Sequence, residues 1–222
     1  MEIAKWLPVI GQGTQETLYM TLISTLMAYA VGMPVGFWLT VTAPDGIRPS
    51  APVYRIVGNL VNALRSAPFL ILLMALMPLT KFITGTSIGP DAMIPPLVIA
   101  AFPFIARMVE SSAREVDRGV IEAALSMGAT PLQIICKVIL PESRSSLISG
   151  AAIAVTTILG YSAMAGIVGG GGLGGIAINY GYYRGQSGIM WVMVILLIVI
   201  VQIFQEIGNF AAYHADKRIR FK

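Results

Sequence analysis

The sequence predicts an all-α integral membrane protein with about five transmembrane helices. Of its 222 residues, 56% are hydrophobic and 12% are charged, whereas roughly 25% are charged in a typical soluble domain. The mean hydropathy is +0.77. Three segments, 17–44, 145–183 and 185–205, contain 28, 39 and 21 residues without a charge. Such a chain has too little polar surface to cover itself in water, so the lipid bilayer is its natural solvent.

The lengths of the apolar segments predict where the spans lie. Crossing the hydrocarbon core takes about 20 helical residues, and the backbone polar groups must be satisfied within the segment. The segment 145–183 is too long for one span, so we expect it to hold a helix followed by a re-entrant or loop segment. Two further apolar segments are shorter. The segment 56–80 is interrupted only by Arg65, and the segment 92–106 ends at Arg107. The predicted spans are 17–42, 56–80, 92–112, 146–168 and 187–210.

The basic residues predict the orientation in the membrane. We place the first loop (43–55), the central loop (107–145) and the C-terminus on one side. With Arg65 near the start of the second span included, that side carries twelve basic residues and the other carries three. Cytoplasmic loops are enriched in Lys and Arg, so the N-terminus is predicted outside and the C-terminus in the cytoplasm. The twelve are Arg48, Arg55, Arg65, Arg107, Arg114, Arg118, Lys137, Arg144, Lys217, Arg218, Arg220 and Lys222, and the three are Lys5, Lys81 and Arg184.

The sequence offers little for catalysis or for binding nucleic acid. His214 is the only histidine, which argues against metal clusters and histidine-based triads. Cys136 is alone, so no intrachain disulfide is possible. The basic residues are dispersed over loops rather than set on one face, which disfavours nucleic-acid binding. No P-loop motif occurs, so this chain is not expected to bind ATP itself.

The central loop predicts two short helices joined by a sharp glycine corner. Gly128 suits a helix end, where positive φ is needed. Thr130 is a good N-cap, Pro131 fits the first helical position, and Gln133 completes a capping box. We expect Pro141 to end the second helix. Taken alone, such an amphipathic segment could simply rest on the bilayer surface.

The spacing of residues in this loop resembles the EAA signature of ABC-type importer permeases. Glu122-Ala123-Ala124 is followed by Gly128 and then, after an apolar Val138, by Leu140-Pro141. In that family the segment is a coupling helix seated in a cleft of the ATPase subunit. The resemblance implies that the two alanines allow close approach, that Gly128 permits the turn, and that Glu122 offers a carboxylate for a charge-assisted contact.

The resemblance covers residues 14–210, with the coupling loop at about 113–144, and is nearest to the methionine-uptake permeases. The supporting segments are 62–69, 85–89, 103–110 and 160–166. It implies a type I importer permease fold in a bacterial inner membrane, working as a homodimer. It also implies two copies of a cytoplasmic ABC ATPase, which bind ATP and Mg, and an extracytoplasmic methionine-binding protein. No cofactor is expected in this chain.

Candidates for the translocation pathway are Tyr161, Ser162 and Met164. They lie on the fourth predicted span, which lines the pathway in this family. A mostly apolar lining would pass a thioether side chain without holding it tightly. The same residues could equally be ordinary helix-packing residues. Two groups of glycines recur at a spacing that lets helices approach closely: Gly32 and Gly36, and Gly166, Gly170 and Gly174. For the second group, the alternative to close packing is a flexible outer gate.

Two arginines near predicted span ends, Arg65 and Arg107, are expected to snorkel to the interface. Glu110 and Arg114, four residues apart, are expected to form a helix-surface pair worth about 0.3–0.5 kcal/mol.

The predicted function is that of a permease subunit of an ATP-driven methionine importer, and not an enzyme. The alternatives are a permease for another amino acid or small polar solute, or an ATP-independent secondary transporter.

Overall fold

In the computed structural model, residues 6–216 are described. Within this range the chain is mainly helical, with turns and loops between the helices, and forms no strand. The α-helices are α1 (Leu7–Thr42), α2 (Ala51–Ser66), α3 (Phe69–Thr84), α4 (Pro90–Arg114), α5 (Arg118–Ser126), α6 (Pro131–Ile134), α7 (Leu140–Glu142), α8 (Arg144–Ala165), α9 (Gly172–Ile176) and α10 (Ser187–Ala215). The predicted all-α class is confirmed. Lys5, Lys217, Arg218, Arg220 and Lys222, which entered the orientation argument, lie outside the described residues.

Four helical segments of the described chain are long and apolar enough to cross a membrane: Leu7–Thr42, Pro90–Arg114, Arg144–Val168 and Ser187–Ala215. They correspond to the first, third, fourth and fifth predicted spans. The orientation relative to the cytoplasm stays a prediction.

The second predicted span, 56–80, is broken rather than continuous. Helices α2 and α3 meet at a bend of 105° and become a fifth span only if the bent pair is counted as one. Pro68 has extended dihedral angles, φ −60° and ψ 127°. Proline also disfavours helical geometry in the residue before it. The apolar run therefore correctly indicated a segment apolar enough to cross a membrane, but it did not predict that the segment is bent.

The predicted helix and shorter segment within 145–183 are both present. Helix α8 passes into a 3-10 turn at Gly166–Val168, and a glycine-rich loop then leads to α9. A π-helix at Ala177–Tyr182 continues α9 without a break. Gly169, Gly171 and Gly172 have φ of 85°, 78° and 68°. These left-handed conformations are strained for other residues, which explains why glycine is concentrated in the loop.

The chain divides into two compact units. The described residues of the first are 6–27, 67–101 and 154–205. One apolar core of this unit consists of Leu173, Ile176, Ala177, Ile189 and Met193, with Trp6 among the side chains packed against it. A side chain at Gly166 would collide with the backbone of Gly174 and Gly175. The predicted close packing of the glycine block is thus confirmed, whereas its role as a gate stays a prediction.

The second unit consists of residues 28–66, 102–153 and 206–216 of the described chain. Leu39, Val61 and Ala106 form one buried cluster. Helix α1 lies against α4 through Gly36, where a Cβ atom would be 2.5 Å from the carbonyl oxygen of Ala106. Gly32 makes a similar approach to α4. The small-residue spacing on α1 therefore predicted a real helix contact.

Candidate functional site

The central segment of the second unit begins with helix α5, whose two ends are fixed by local hydrogen bonds. The side chain of Asp117 accepts a 2.7 Å hydrogen bond from the N–H of Gly119. At the other end, the N–H of Ala129 donates to the carbonyl of Ala124 and that of Gly128 donates to Leu125. Gly128 has φ 79°. This is a Schellman motif, and it confirms the predicted glycine corner.

The second half of the segment begins with the predicted capping box. The N–H of Thr130 donates to the side-chain oxygen of Gln133 at 2.8 Å, and the N–H of Gln133 donates to the Thr130 hydroxyl at 3.4 Å. Pro131 occupies the first turn of α6, where its missing N–H costs nothing. The start and the end of α5 and the start of α6 are thus fixed by signals in the neighbouring sequence.

The prediction that Pro141 ends this helix is wrong, because the helical segment continues to Glu142. Residues Ile135–Ile139 form a π-helix, in which the Leu140 N–H donates to the carbonyl of Ile135 five residues earlier. Proline lacks an N–H and clashes with the carbonyl four residues before it in a regular α-helix. The wider π-turn before Pro141 accommodates both features.

We call residues 118–142 the coupling segment, and its side chains divide into a buried and an exposed set. Ala124, Ile134 and Ile139 are buried within the chain. The exposed set includes Glu122, Ala123, Gly128 and Leu140, together with the large apolar residues Leu125, Met127 and Leu132. Of the two alanines predicted to allow close approach, only Ala123 is exposed; Ala124 packs inside its own chain. Leu132 and Met127 were not among the predicted site residues, and only their exposure identifies them.

A cleft of about 480 Å³ lies beside α5, between this helix and the loop after α1. Asp45, Arg114, Arg118 and Glu122 contribute its charged groups. A hydrogen bond from its own backbone N–H, followed by the charges of Arg114 and Arg118, lowers the pKa of Asp45 below its ordinary value. Within residues 6–216, the carboxylate of Glu122 has neither a hydrogen-bond donor nor a cationic partner.

The expected surface pair of Glu110 and Arg114 is instead part of a largely buried network. The side chain of Glu110 is 6% exposed and contacts Arg107 at 2.7 Å and Arg114 at 3.1 Å. The Tyr54 hydroxyl also donates to Glu110, at 3.0 Å. Arg107 further donates to the Gly58 carbonyl at 2.9 Å. The snorkelling predicted for Arg107 is therefore wrong, because protein groups satisfy its guanidinium.

The three predicted pathway residues occupy different environments in the first unit. The Tyr161 ring stacks on Phe69 with a centroid distance of 4.3 Å. Ser162 is buried, and its hydroxyl donates to the Leu159 carbonyl at 2.8 Å. Met164 is exposed. They do not form one surface, and their role in translocation stays a prediction.

Sequence reasoning missed a polar clasp between α1 and the start of α9. The Gly172 N–H donates to the Glu16 carboxylate at 2.7 Å, and the Leu173 N–H donates to the Thr17 hydroxyl at 2.9 Å. Two of the free N–H groups at the start of α9 are satisfied in this way. The available signal was Glu16 itself, an acidic residue at the edge of a long apolar run.

Metal-ligating side chains are not assembled in the described chain: between Trp6 and Asp216, no group of three His, Cys, Asp or Glu residues could hold an ion. Cys136 is exposed with a free thiol. His214 lies against the ring of Phe210, at a centroid distance of 4.1 Å.

Comparison with known proteins places these features in a family. Residues 32–221 match the family model described as binding-protein-dependent transport system inner membrane component. A protein of Vibrio cholerae serotype O1, named probable D-methionine transport system permease protein MetI, is 47% identical over 220 residues, which are 97% of this chain and 98% of that protein. The D-methionine transport system permease protein MetI of Escherichia coli K12 is 50% identical over 161 residues, 72% of this chain and 73% of its own.

Solved structures agree with the sequence relatives. A chain of the inward-facing MetNI methionine ABC transporter superposes with a TM-score of 0.94 at 44% identity, covering 98% of this chain and 100% of that one. A chain from an amino acid ABC transporter matches with a TM-score of 0.77 at 19% identity, covering 96% of each, which supports the fold alone. The chain is a membrane transport component and belongs to the family of binding-protein-dependent transport system inner membrane components.

Proposed function

We propose that this chain is the membrane-spanning permease subunit of an ATP-driven methionine importer. The observation that carries the proposal is the end-to-end likeness, at 44% identity, to a chain of the MetNI methionine ABC transporter. Relatives named for D-methionine transport that match almost the whole chain add to it. The chain then works as a homodimer in the bacterial inner membrane, with an extracytoplasmic methionine-binding protein delivering the substrate.

Energy comes from outside this chain. Two copies of a cytoplasmic ABC ATPase bind ATP and Mg, and their closure moves the permease between outward and inward openings. In this two-state scheme, nucleotide shifts the equilibrium because it favours one state by differential affinity. The N-terminus lies outside and the C-terminus in the cytoplasm, as the distribution of basic residues predicts.

The permease domain comprises residues 14–210, and the ATPase binds its coupling loop at about 113–144. The support is the exposure of a short helix pair, held by a capping box and a Schellman motif, that presents Met127 and Leu132 to its surroundings. Such a rigid element with exposed apolar side chains suits a helix-in-groove interface. Glu122 contributes a carboxylate that has no partner within residues 6–216, and Gly128 contributes the corner. Leu140-Pro141 begin the last helical turn, which ends at Glu142.

The substrate passes between α8 and the neighbouring elements of the two copies, with Tyr161 and Met164 near its route. Ser162 supports this route from behind rather than by contacting the substrate, because its hydroxyl already donates a hydrogen bond to the Leu159 carbonyl. A pathway of this kind holds its substrate weakly, since tight binding would slow release.

Reconstitution tests the function. The chain is placed in proteoliposomes with the ATPase and the binding protein, and uptake of labelled methionine is measured with and without ATP. We expect uptake only when all parts and ATP are present, with competition by D- or L-methionine. Uptake by this chain alone would indicate an ATP-independent carrier, and competition only by other solutes would overturn methionine as the substrate.

A further inference from the structure

One carboxylate joins the end of α4 to the beginning of the coupling segment. Arg118, the first residue of α5, approaches the Asp45 carboxylate at 2.9 Å and also donates to the Asp45 carbonyl at 3.4 Å. Arg114, the last residue of α4, approaches the same carboxylate oxygen at 3.5 Å. Asp45 itself lies in the loop that connects α1 to α2.

The contact continues from Arg114 into the interior of the second unit. Arg114 pairs with the buried Glu110 at 3.1 Å, and Glu110 pairs with Arg107 at 2.7 Å. Arg107 reaches α2, where it donates to the Gly58 carbonyl at 2.9 Å and the Asn62 side chain at 3.1 Å. We call Arg118, Asp45, Arg114, Glu110 and Arg107 the salt-bridge ladder. Its ion pairs run from the coupling segment to Arg107 on α4, and the hydrogen bonds of Arg107 extend the series to α2.

The two ends of the ladder differ in exposure. The Glu110 side chain is 6% exposed, whereas those of Asp45 and Arg118 are 46% and 66% exposed. A buried carboxylate with several donors is costly to disturb, while an exposed pair is weak and can break and reform. The inner pairs are therefore costly to break, whereas the exposed Asp45–Arg118 pair is the one that can separate most easily.

The loop that carries Asp45 does not need this carboxylate to hold its shape. The Gly46 N–H donates to the Ala43 carbonyl at 2.8 Å, and the Arg48 N–H donates to the Val41 carbonyl at 2.9 Å. A further backbone bond joins Ser50 to Thr42. Because backbone hydrogen bonds already close the loop, the side chain of Asp45 is free to serve the contact with the two arginines.

We propose that Asp45 is a positioning residue for energy coupling: it ties α5 to α4 and α2, so that displacement of the coupling segment by the ATPase moves these helices. The inference rests on the proposed function, since it requires an ATPase at the coupling segment.

The test measures methionine transported per ATP hydrolysed in the reconstituted complex. Asp45→Asn and Arg118→Gln each remove one side of the contact, and both are expected to lower this ratio by about five-fold or more, the lower range of typical coupling energies. In Asp45→Asn the ATPase should still co-purify and hydrolyse ATP, because Asp45 lies outside the coupling segment. Asp45→Glu, which keeps the charge, should retain most of the ratio.

A double variant and a matched control separate coupling from folding. Asp45→Asn combined with Arg118→Gln should lower the ratio no further than Asp45→Asn alone, because Arg118→Gln removes a contact that Asp45→Asn has already removed. Glu206→Gln is the control, since Glu206 is an exposed acidic residue of α10 with no ion pair or side-chain hydrogen bond in the described chain. It should leave the ratio unchanged. If Asp45→Asn fails to fold, Arg118→Gln alone decides, because Arg118 is largely exposed.

The possible outcomes are distinct. A normal ratio in Asp45→Asn and Arg118→Gln would overturn the inference while leaving the proposed function standing. Strictly additive losses in the double variant, or equal losses in Glu206→Gln, would also overturn it. If the unmodified chain neither retains the ATPase nor transports methionine with it, the proposed function fails and this inference fails with it.

Discussion

Truncating Leu132 gives a direct measure of the proposed ATPase interface. Leu132 lies in α6 and is 70% exposed. Complete burial of a leucine side chain contributes about 1.5–3 kcal/mol. If docking covers the exposed part, Leu132→Ala should remove about 1–2 kcal/mol of binding free energy, which corresponds to an affinity about 5–30 times weaker. The stability of the permease itself should hardly change, because this side chain makes few internal contacts.

The assay is titration of the purified ATPase against the permease in nanodiscs, with nucleotide fixed. Leu26→Ala is a matched control: Leu26 is 69% exposed but lies on α1, outside the coupling segment. It should bind the ATPase like the unmodified chain. Met127→Ala, at the most exposed apolar residue of the coupling segment, should weaken binding in the same way as Leu132→Ala. Equal affinities for Leu132→Ala and Leu26→Ala would refute the proposed interface.

Three further predictions concern packing, capping and pH. Gly36→Ala should lower the unfolding free energy in detergent by about 1–3 kcal/mol, because the new methyl would be 2.5 Å from the Ala106 carbonyl oxygen. The control Gly11→Ala should leave the unfolding free energy unchanged, because nothing lies within 4 Å of the new methyl. Glu16→Ala should cost about 1–2 kcal/mol as a lost helix cap and speed hydrogen exchange at the Gly172 N–H, which donates to this carboxylate. Glu16→Gln keeps an oxygen acceptor, so this N–H should exchange more slowly in Glu16→Gln than in Glu16→Ala. Equal exchange in both variants and in the unmodified chain would contradict the clasp. Because the pKa of Asp45 is lowered in the fold, its contribution to stability is complete above the ordinary value of 3.8 and is lost as pH falls below it. The difference in melting temperature between Asp45→Asn and the unmodified chain should therefore be constant from about pH 8 to pH 5 and shrink only below the ordinary aspartate range; a difference that already disappears near neutral pH would contradict this assignment.

Features encoded by neighbouring residues could be predicted from the sequence. The capping box at Thr130 and Gln133 and the glycine corner at Gly128 depend on residues a few positions apart, so their spacing is sufficient. The spans follow from the length of apolar sequence needed to cross a bilayer. The contact of α1 with α4 at Gly36 was also signalled, because small residues recurred at the spacing of one helix face.

Features that depend on distant residues could not be predicted in the same way. Glu110 looked like a member of a surface pair because only its neighbours four residues away were visible, whereas its burial involves Tyr54, 56 residues earlier. Glu16 caps a helix start 156 residues later. The bend after α2 and the π-turn before Pro141 reflect how the backbone accommodates proline, which apolar content does not report. The pathway residues could not be identified from the sequence for the same reason, since a route between two copies depends on surfaces outside one chain.

The most direct test is an experimental structure of the chain assembled with its ATPase in a bilayer. The central claim is that this polypeptide is a conduit without its own energy source, moved at the coupling segment by a separate nucleotide-hydrolysing subunit. We predict that Leu132 and Met127 are covered by the ATPase, on the same side of the membrane as the C-terminus. A coupling segment that is bare in the assembly, or that faces the extracytoplasmic side, would contradict the claim.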